Sequence, residues 1–228
     1  MPSKVLQFWA GLAALLVGGR MCHTRILWEG DTLPLAAAAQ MLHGKALYGG
    51  IWFDKPPLVA AFHLLCGAVD GWPLRLLGAL YAVLACWLIF ELARRLWSAR
   101  EGFWAAGLLA FYLTFGVASA VIPVASDLML LAPHLAAVWM AMDRRPFASG
   151  LLVGVAFAVS PKAVFVAAVC ALWYPAGIPM MAAGFAVASG VSAAWLWGTG
   201  SLAAYINEVW VWGRLYAASS PFDAPWRN

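Results

Sequence analysis

Residues 28–57 read W-E-G-D-T-L-P-L-A-A-A-A-Q-M-L-H-G-K-A-L-Y-G-G-I-W-F-D-K-P-P, the longest polar interruption between the apolar runs of the chain. Three acids, Glu29, Asp31 and Asp54, and two lysines, Lys45 and Lys55, fall here, although only 11% of all residues are charged. Leu33, Ala36, Ala37, Gln40 and Met41 recur at helical spacing, which predicts a short amphipathic helix lying along a membrane surface. Gly44, Gly49 and Gly50 break that helix, and Pro56-Pro57 stiffens the return toward the bilayer. A plain tether needs no acids at one end and no Asp-Lys-Pro-Pro at the other. Ionisable groups at membrane level more often carry function than not.

The flanks decide the class. With 64% hydrophobic residues and a mean hydropathy of +0.83, the 228 residues predict an integral membrane protein rather than a soluble domain. A net charge of +4, scattered along the chain, excludes a nucleic-acid surface and fits cytoplasmic loops that collect Lys and Arg. Fourteen tryptophans suit interfacial belts. Cys22, Cys66, Cys86 and Cys170 show no C-x-x-C spacing and read as small buried hydrophobes. His23, His43 and His63 lack metal-ligand spacing.

Working outward, residues 5–19 predict a first membrane helix continuing toward Leu27, since no signal-peptide cleavage site follows. Residues 58–69 are too short to span and read as re-entrant or interfacial. Residues 74–92 can span and end at Arg94-Arg95, which marks the cytoplasm. Runs at 103–118, 128–142, 147–159, 163–174 and 178–197 alternate outward and inward. Gly150 and Gly154 form a G-x-x-x-G, a weak signal for close helix packing. The tail, 198–228, is amphipathic and aromatic (Tyr205, Trp210, Trp212, Tyr216), which predicts a helix on the outer surface. The expectation is an all-α, polytopic bundle of about six to seven spans, with interfacial helices in the first outer loop and at the C-terminus. It forms one membrane domain over 1–228, without internal repeats.

This topology sorts the charges. Lys4, Arg94, Arg95, Arg100, Arg144 and Arg145 lie inside, as orientation alone demands. Lys45, Lys55, Arg75, Lys162 and Arg214 lie outside, with Glu29, Asp31, Asp54 and Asp127. Basic residues held against the outer leaflet need another reason, and binding a phosphate at membrane depth is sufficient. Lys55, Arg75 and Lys162 are therefore the candidate phosphate ligands. An acid among them, placed to take a proton from a hydroxyl, completes a group-transfer site. His134, about two turns beyond Asp127, either lines the site or packs against a neighbouring helix.

The order of motifs resembles the membrane glycosyltransferases of the GT-C type. Within them it is most similar to the branch of the protein O-mannosyltransferases and the lipid A aminoarabinose transferase. The residues are G-D at 30–31, H-G-K-A-L-Y at 43–48, D-K-P-P-L at 54–58, P-L-R-L-L-G-A-L-Y at 73–81, A-R-R-L-W at 93–97 and S-D-L-M-L-L at 126–131. The likeness is strongest over 28–142. It implies transfer of a sugar, with inversion, from a polyprenyl-phosphate donor to a lipid or protein acceptor at the outer face, such as the periplasmic face of a bacterial inner membrane. Asp31 then matches the first-loop acid that serves as base or organises the acceptor, Lys55 the residue near the lipid phosphate, and Asp127 the second-loop acid.

Asp54, Tyr48 and His134 are expected to line the site. Asp31 and Asp127 are expected to share one cavity, and a divalent cation (Mg or Mn) held between them would take oxygen ligands. Many members carry two adjacent acids in the first loop. Here Glu29 and Asp31 flank Gly30, so either can be the base. Complete members are longer, and the chain reads as an N-terminal portion of that architecture. A transporter or flippase subunit and a non-catalytic scaffold are the competing classes.

Overall fold

The computed structural model describes residues 2–218; the part of the predicted tail at 219–228 lies outside the described residues. The described residues are helical, with no β-strand among them and a single isolated bridge between Leu47 and Ile51. The order is α1 (Pro2–Met21), α2 (Glu29–Leu42), α3 (Pro57–Leu65), α4 (Trp72–Leu96), α5 (Ala99–Phe115), α6 (Ala118–Val121), α7 (Ser126–Met142), α8 (Pro146–Phe157), α9 (Ala163–Trp173), α10 (Ile178–Gly198), α11 (Leu202–Tyr205) and α12 (Trp212–Ala218). A π-helical stretch, Ile206–Val211, joins α11 to α12.

Contacts between helix ends show that α1, α4, α5, α7, α8, α9 and α10 run alternately up and down. Arg95, at the end of α4, pairs with Asp143, which closes α7. The guanidinium of Arg144, just before α8, lies over the Tyr174 ring that follows α9. At the opposite end, Arg20 near the close of α1 reaches the carbonyl of Val121 in α6. Lys162, just before α9, reaches Asp127 in the first turn of α7. The basic residues Arg94, Arg95, Arg100, Arg144 and Arg145 thus gather at one end, and Glu29, Asp54, Lys55, Asp127 and Lys162 at the other.

Among the described residues, two segments are long and apolar enough to cross a membrane: Trp72–Leu96, of 25 residues, and Pro175–Gly198, of 24 residues. The flanks of the bundle present large apolar side chains outward, including Trp104, Leu108 and Phe115 on α5, Phe165 and Leu172 on α9, and Val191 on α10. Many exposed large apolar side chains are what a lipid-facing surface requires.

Glycine sets the closest packing, between α8 and α10. A Cβ on Gly150 would fall 1.9 Å from the carbonyl oxygen of Met181, and one on Gly184 would fall 2.1 Å from that of Phe147. One on Gly154 would meet the Ala188 Cβ at 2.6 Å. The small-residue seam discounted in the sequence is therefore the main contact between these helices, because only a missing Cβ lets the two backbones touch.

The predicted surface helix is α2, starting at Glu29 rather than near Leu33. Pro34 is its sixth residue, inside the helix, where it has no N–H to give the Gly30 carbonyl one turn earlier. The first helix stops at Met21 rather than near Leu27. Residues 58–69 form only the nine-residue α3 (Pro57–Leu65). It is tied to the bundle where the Leu58 N–H donates to the Ala158 carbonyl at 2.9 Å.

Candidate active site

The charged residues at one end of the bundle surround a cavity of about 470 Å³ lined by Glu29, Gly30, Leu33, Asp54, Lys55, Ser126 and Asp127, among others. It continues into a chamber of about 610 Å³ that shares Glu29, Asp54, Lys55, Ser126 and Asp127 and adds Lys162, Val209, Trp212, Gly213 and Tyr216. Four elements supply these groups. The first turn of α2 gives Glu29, the D-K-P-P turn gives Asp54 and Lys55, the first turn of α7 gives Asp127, and the turn before α9 gives Lys162.

Each lysine is held by an acid. Lys55 Nζ lies 2.6 Å from Asp54 Oδ2, and Lys162 Nζ lies 2.6 Å from Asp127 Oδ1. The first pair is half-buried, with Asp54 only 11% exposed, while the second is open to solvent. Exposed pairs contribute little stability, so their value is in fixing where the ammonium groups sit. Glu29 is the exception: it lines both chambers, is exposed, and makes no hydrogen bond or ion pair with the described residues. It is the carboxylate at this site without a partner.

Asp31 departs from the expectation. It was to face the cavity with Asp127, but its side chain is fully buried and lines neither chamber. One oxygen accepts the Val124 N–H at 2.8 Å, and the other lies 2.8 Å from Arg75 Nη1. Arg75, expected at the donor phosphate, is buried with it and donates to the Ile26 carbonyl at 3.0 Å. The reason is electrostatic. Asp31 is on the inner face of α2 beside Pro34, Leu35 and Ala38, and a carboxylate removed from water must take the nearest cation and N–H. The Asp31–Arg75 pair therefore fastens three strands of chain together: the start of α2, the start of α4 and the 122–125 turn. Two residues from Asp31 is Glu29, and three residues beyond Val124 is Asp127, so the buried pair sets the span of the cavity mouth.

Tyr48 and His134 are also placed away from the cavity lining. Tyr48 is buried, and its phenol donates to the Lys55 carbonyl at 2.6 Å, which holds the lysine backbone from behind. Burial pushes this phenol well above its ordinary pKa, with the nearby Tyr205 and Glu208 adding to the shift. Tyr48 adopts a φ of +67°, a left-handed conformation uncommon for a non-glycine residue, and the bond to Lys55 helps to hold it. His134 sits deeper along α7, its Nε2 enclosed without a partner.

Asp31 and Asp127, the pair named for a divalent cation, are not brought together: one is committed to Arg75 and the other to Lys162. Among the described residues, no three His, Cys, Asp or Glu side chains converge as a metal site. A separate cavity of about 300 Å³ between α8, α9 and α10 is lined only by apolar residues and glycine and offers no group for chemistry.

Two residues that sequence reasoning passed over help to build the site. Arg20 is 1% exposed. It donates to the Val121 carbonyl at 2.9 Å and the Leu113 carbonyl at 3.4 Å, with no carboxylate beside it. An arginine at the end of an apolar helix reads as a snorkelling anchor, and nothing local in the sequence distinguishes it from one. Glu208, in the π-helical stretch, accepts the Phe53 N–H at 2.7 Å and so pins the C-terminal segment onto the first loop. A contact across so long a sequence separation has no local signature.

A helical bundle with an apolar exterior and a charged cavity at one end defines a membrane protein with a polar site at its surface. The family model for dolichyl-phosphate-mannose-protein mannosyltransferase matches residues 54–212, and the chain belongs to that family, whose members are membrane glycosyltransferases of the GT-C kind. The match takes in Lys55, Arg75, Asp127, Lys162 and the C-terminal segment to Trp212, and begins after Glu29 and Asp31. No curated protein and no solved structure gives a significant match.

Proposed function

We propose that the chain transfers a sugar from a polyprenyl-phosphate donor to a lipid or protein acceptor, in the cavity bounded by Glu29, Asp54, Lys55, Asp127 and Lys162. The up-and-down helices cross the membrane as one domain, with the cavity at the outer face and the arginine-rich end in the cytoplasm. The observation that carries the reading is the lining itself: two lysines and one unpaired carboxylate open into a single space. Membership of the glycosyltransferase family supplies the reaction class.

The lysines receive the donor phosphate, exchanging their carboxylate partners for phosphate oxygens as the donor enters. Asp54 and Asp127 keep the ammonium groups charged and oriented until then. Glu29 is the base. Its carboxylate takes the proton from the acceptor hydroxyl while that oxygen bonds to the anomeric carbon. The bond from that carbon to the phosphate oxygen breaks, and the electron pair leaves with the phosphate, where Lys55 and Lys162 neutralise it. A phosphate needs no protonating acid, so one carboxylate on the face opposite the leaving group suffices and the anomeric centre inverts. Asp31 positions Glu29 through α2 and does not touch the reacting atoms.

The sidedness is tested by cysteine-accessibility labelling at positions 45 and 95 of the full chain in sealed vesicles. Labelling from opposite sides is expected. Labelling of both from one side overturns the orientation. The site assignment is tested by donor binding, where Lys55→Ala and Lys162→Ala should each weaken retention of a polyprenyl-phosphate sugar. Unchanged binding in both variants overturns their role.

A further inference from the structure

The chamber has a wall that the chemistry above does not use. Val209, Trp212, Gly213 and Tyr216 line it from the C-terminal segment, in the same chamber as the charged groups. These positions follow the i, i+3, i+4, i+7 pattern of one helical face, so the segment turns this side toward the cavity. Trp212 and Tyr216 are stacked, with centroids 5.1 Å apart and planes 15° apart. Trp52 and Trp212 meet in a perpendicular contact, with centroids 5.2 Å apart and planes 85° apart, which holds the indole from a second direction. The segment is anchored by Glu208 on the Phe53 N–H and by Trp210 stacked on Phe157 at 5.5 Å. An aromatic corner held by these contacts thus shares the chamber with Glu29, Asp54 and Asp127.

Resting on the donor reading, we propose that Trp212, backed by Tyr216, is the platform for the sugar ring of the donor. A pyranose has an apolar face of C–H groups and a rim of hydroxyls. The C–H face suits the electron-rich face of an indole, and the hydroxyls find carboxylate acceptors in Glu29, Asp54 and Asp127, which line the same chamber. The neighbouring lysines place the phosphate beside that ring, so one chamber holds both halves of a sugar phosphate. An aromatic belt residue facing lipid would have no reason to share a cavity with two ammonium groups. Because the corner is already fixed by Trp52 and Tyr216, little ordering is needed when the sugar arrives.

The experiment compares two probes on the full chain in nanodiscs: polyprenyl-phosphate mannose and sugarless polyprenyl phosphate. Trp212→Leu should weaken binding of the mannose lipid about tenfold while leaving the sugarless lipid within about twofold, because leucine keeps apolar volume but has no flat face. Trp212→Phe should restore most of the loss. Lys162→Ala should weaken both lipids. Equal weakening of both lipids in Trp212→Leu, or no weakening of either, overturns the platform while the donor site stands. Failure of the wild-type chain to bind either lipid overturns the donor reading, and the platform with it.

Discussion

Replacing Asp31 by Asn separates a positioning acid from a catalytic one. The amide keeps the shape and can still accept the Val124 N–H, now made at 2.8 Å. It cannot neutralise Arg75, which lies 2.8 Å from the carboxylate with both side chains at 0% exposure. An uncompensated guanidinium then remains in the core. Removing one partner of a buried pair typically costs about 3–5 kcal/mol. For a chain of this length that lowers the apparent Tm by roughly 10 °C. Replacing both partners, as in Asp31→Asn with Arg75→Met, removes the stranded charge and should recover most of the loss. The single and double variants form a cycle whose interaction energy should reach about 2–3 kcal/mol. Thermal unfolding in one detergent, followed by tryptophan fluorescence, reads all four proteins. If Asp31→Asn unfolds with the wild-type chain yet loses all transfer activity, Asp31 is the base and the positioning role fails.

Glu29→Gln should lower transfer by at least about 10²-fold and change stability by less than about 0.5 kcal/mol, because the side chain is exposed and unpaired; donor binding should stay at the wild-type level. Lys55→Ala should weaken donor binding about tenfold, with partial rescue by Arg, whose planar fork is not a copy of an ammonium; a matching loss of thermal stability would make Lys55 structural. Gly150→Ala should destabilise the bundle by about 1–3 kcal/mol, since its Cβ would meet the Met181 carbonyl; unchanged unfolding would remove the seam between α8 and α10 from the account.

Much of the fold was legible because a membrane chain writes its helices as apolar runs, and the clustered arginines of the sequence gather at one end of the bundle. The spans beginning near Leu74 and Ile178, the surface helix in the first loop and the corner at Lys162 all follow from local pattern. The helical boundaries shifted at Glu29 and Met21, where hydropathy does not mark the end and α2 begins without a side-chain cap. The site was legible as a set of residues but not as a set of pairs. Lys55, Lys162 and Arg75 were expected as phosphate ligands, and in the structure each is paired with an acid. Which acid goes inward depends on the helical phase of α2, and two residues along a helix separate opposite faces. Glu29 and Asp31 are two apart, so phase alone buries one and exposes the other. Arg20 and Glu208 were invisible for another reason, since their partners are supplied by distant segments.

The central claim is tested most directly by release of polyprenyl phosphate from a polyprenyl-phosphate mannose labelled in the sugar, followed for the wild-type chain and Glu29→Gln side by side with a hydroxyl acceptor extract. The account predicts time-dependent release with label appearing on acceptor for the wild type, and donor bound but intact in Glu29→Gln. Equal release by the two proteins, or none by the wild type under conditions where it binds the donor, contradicts it.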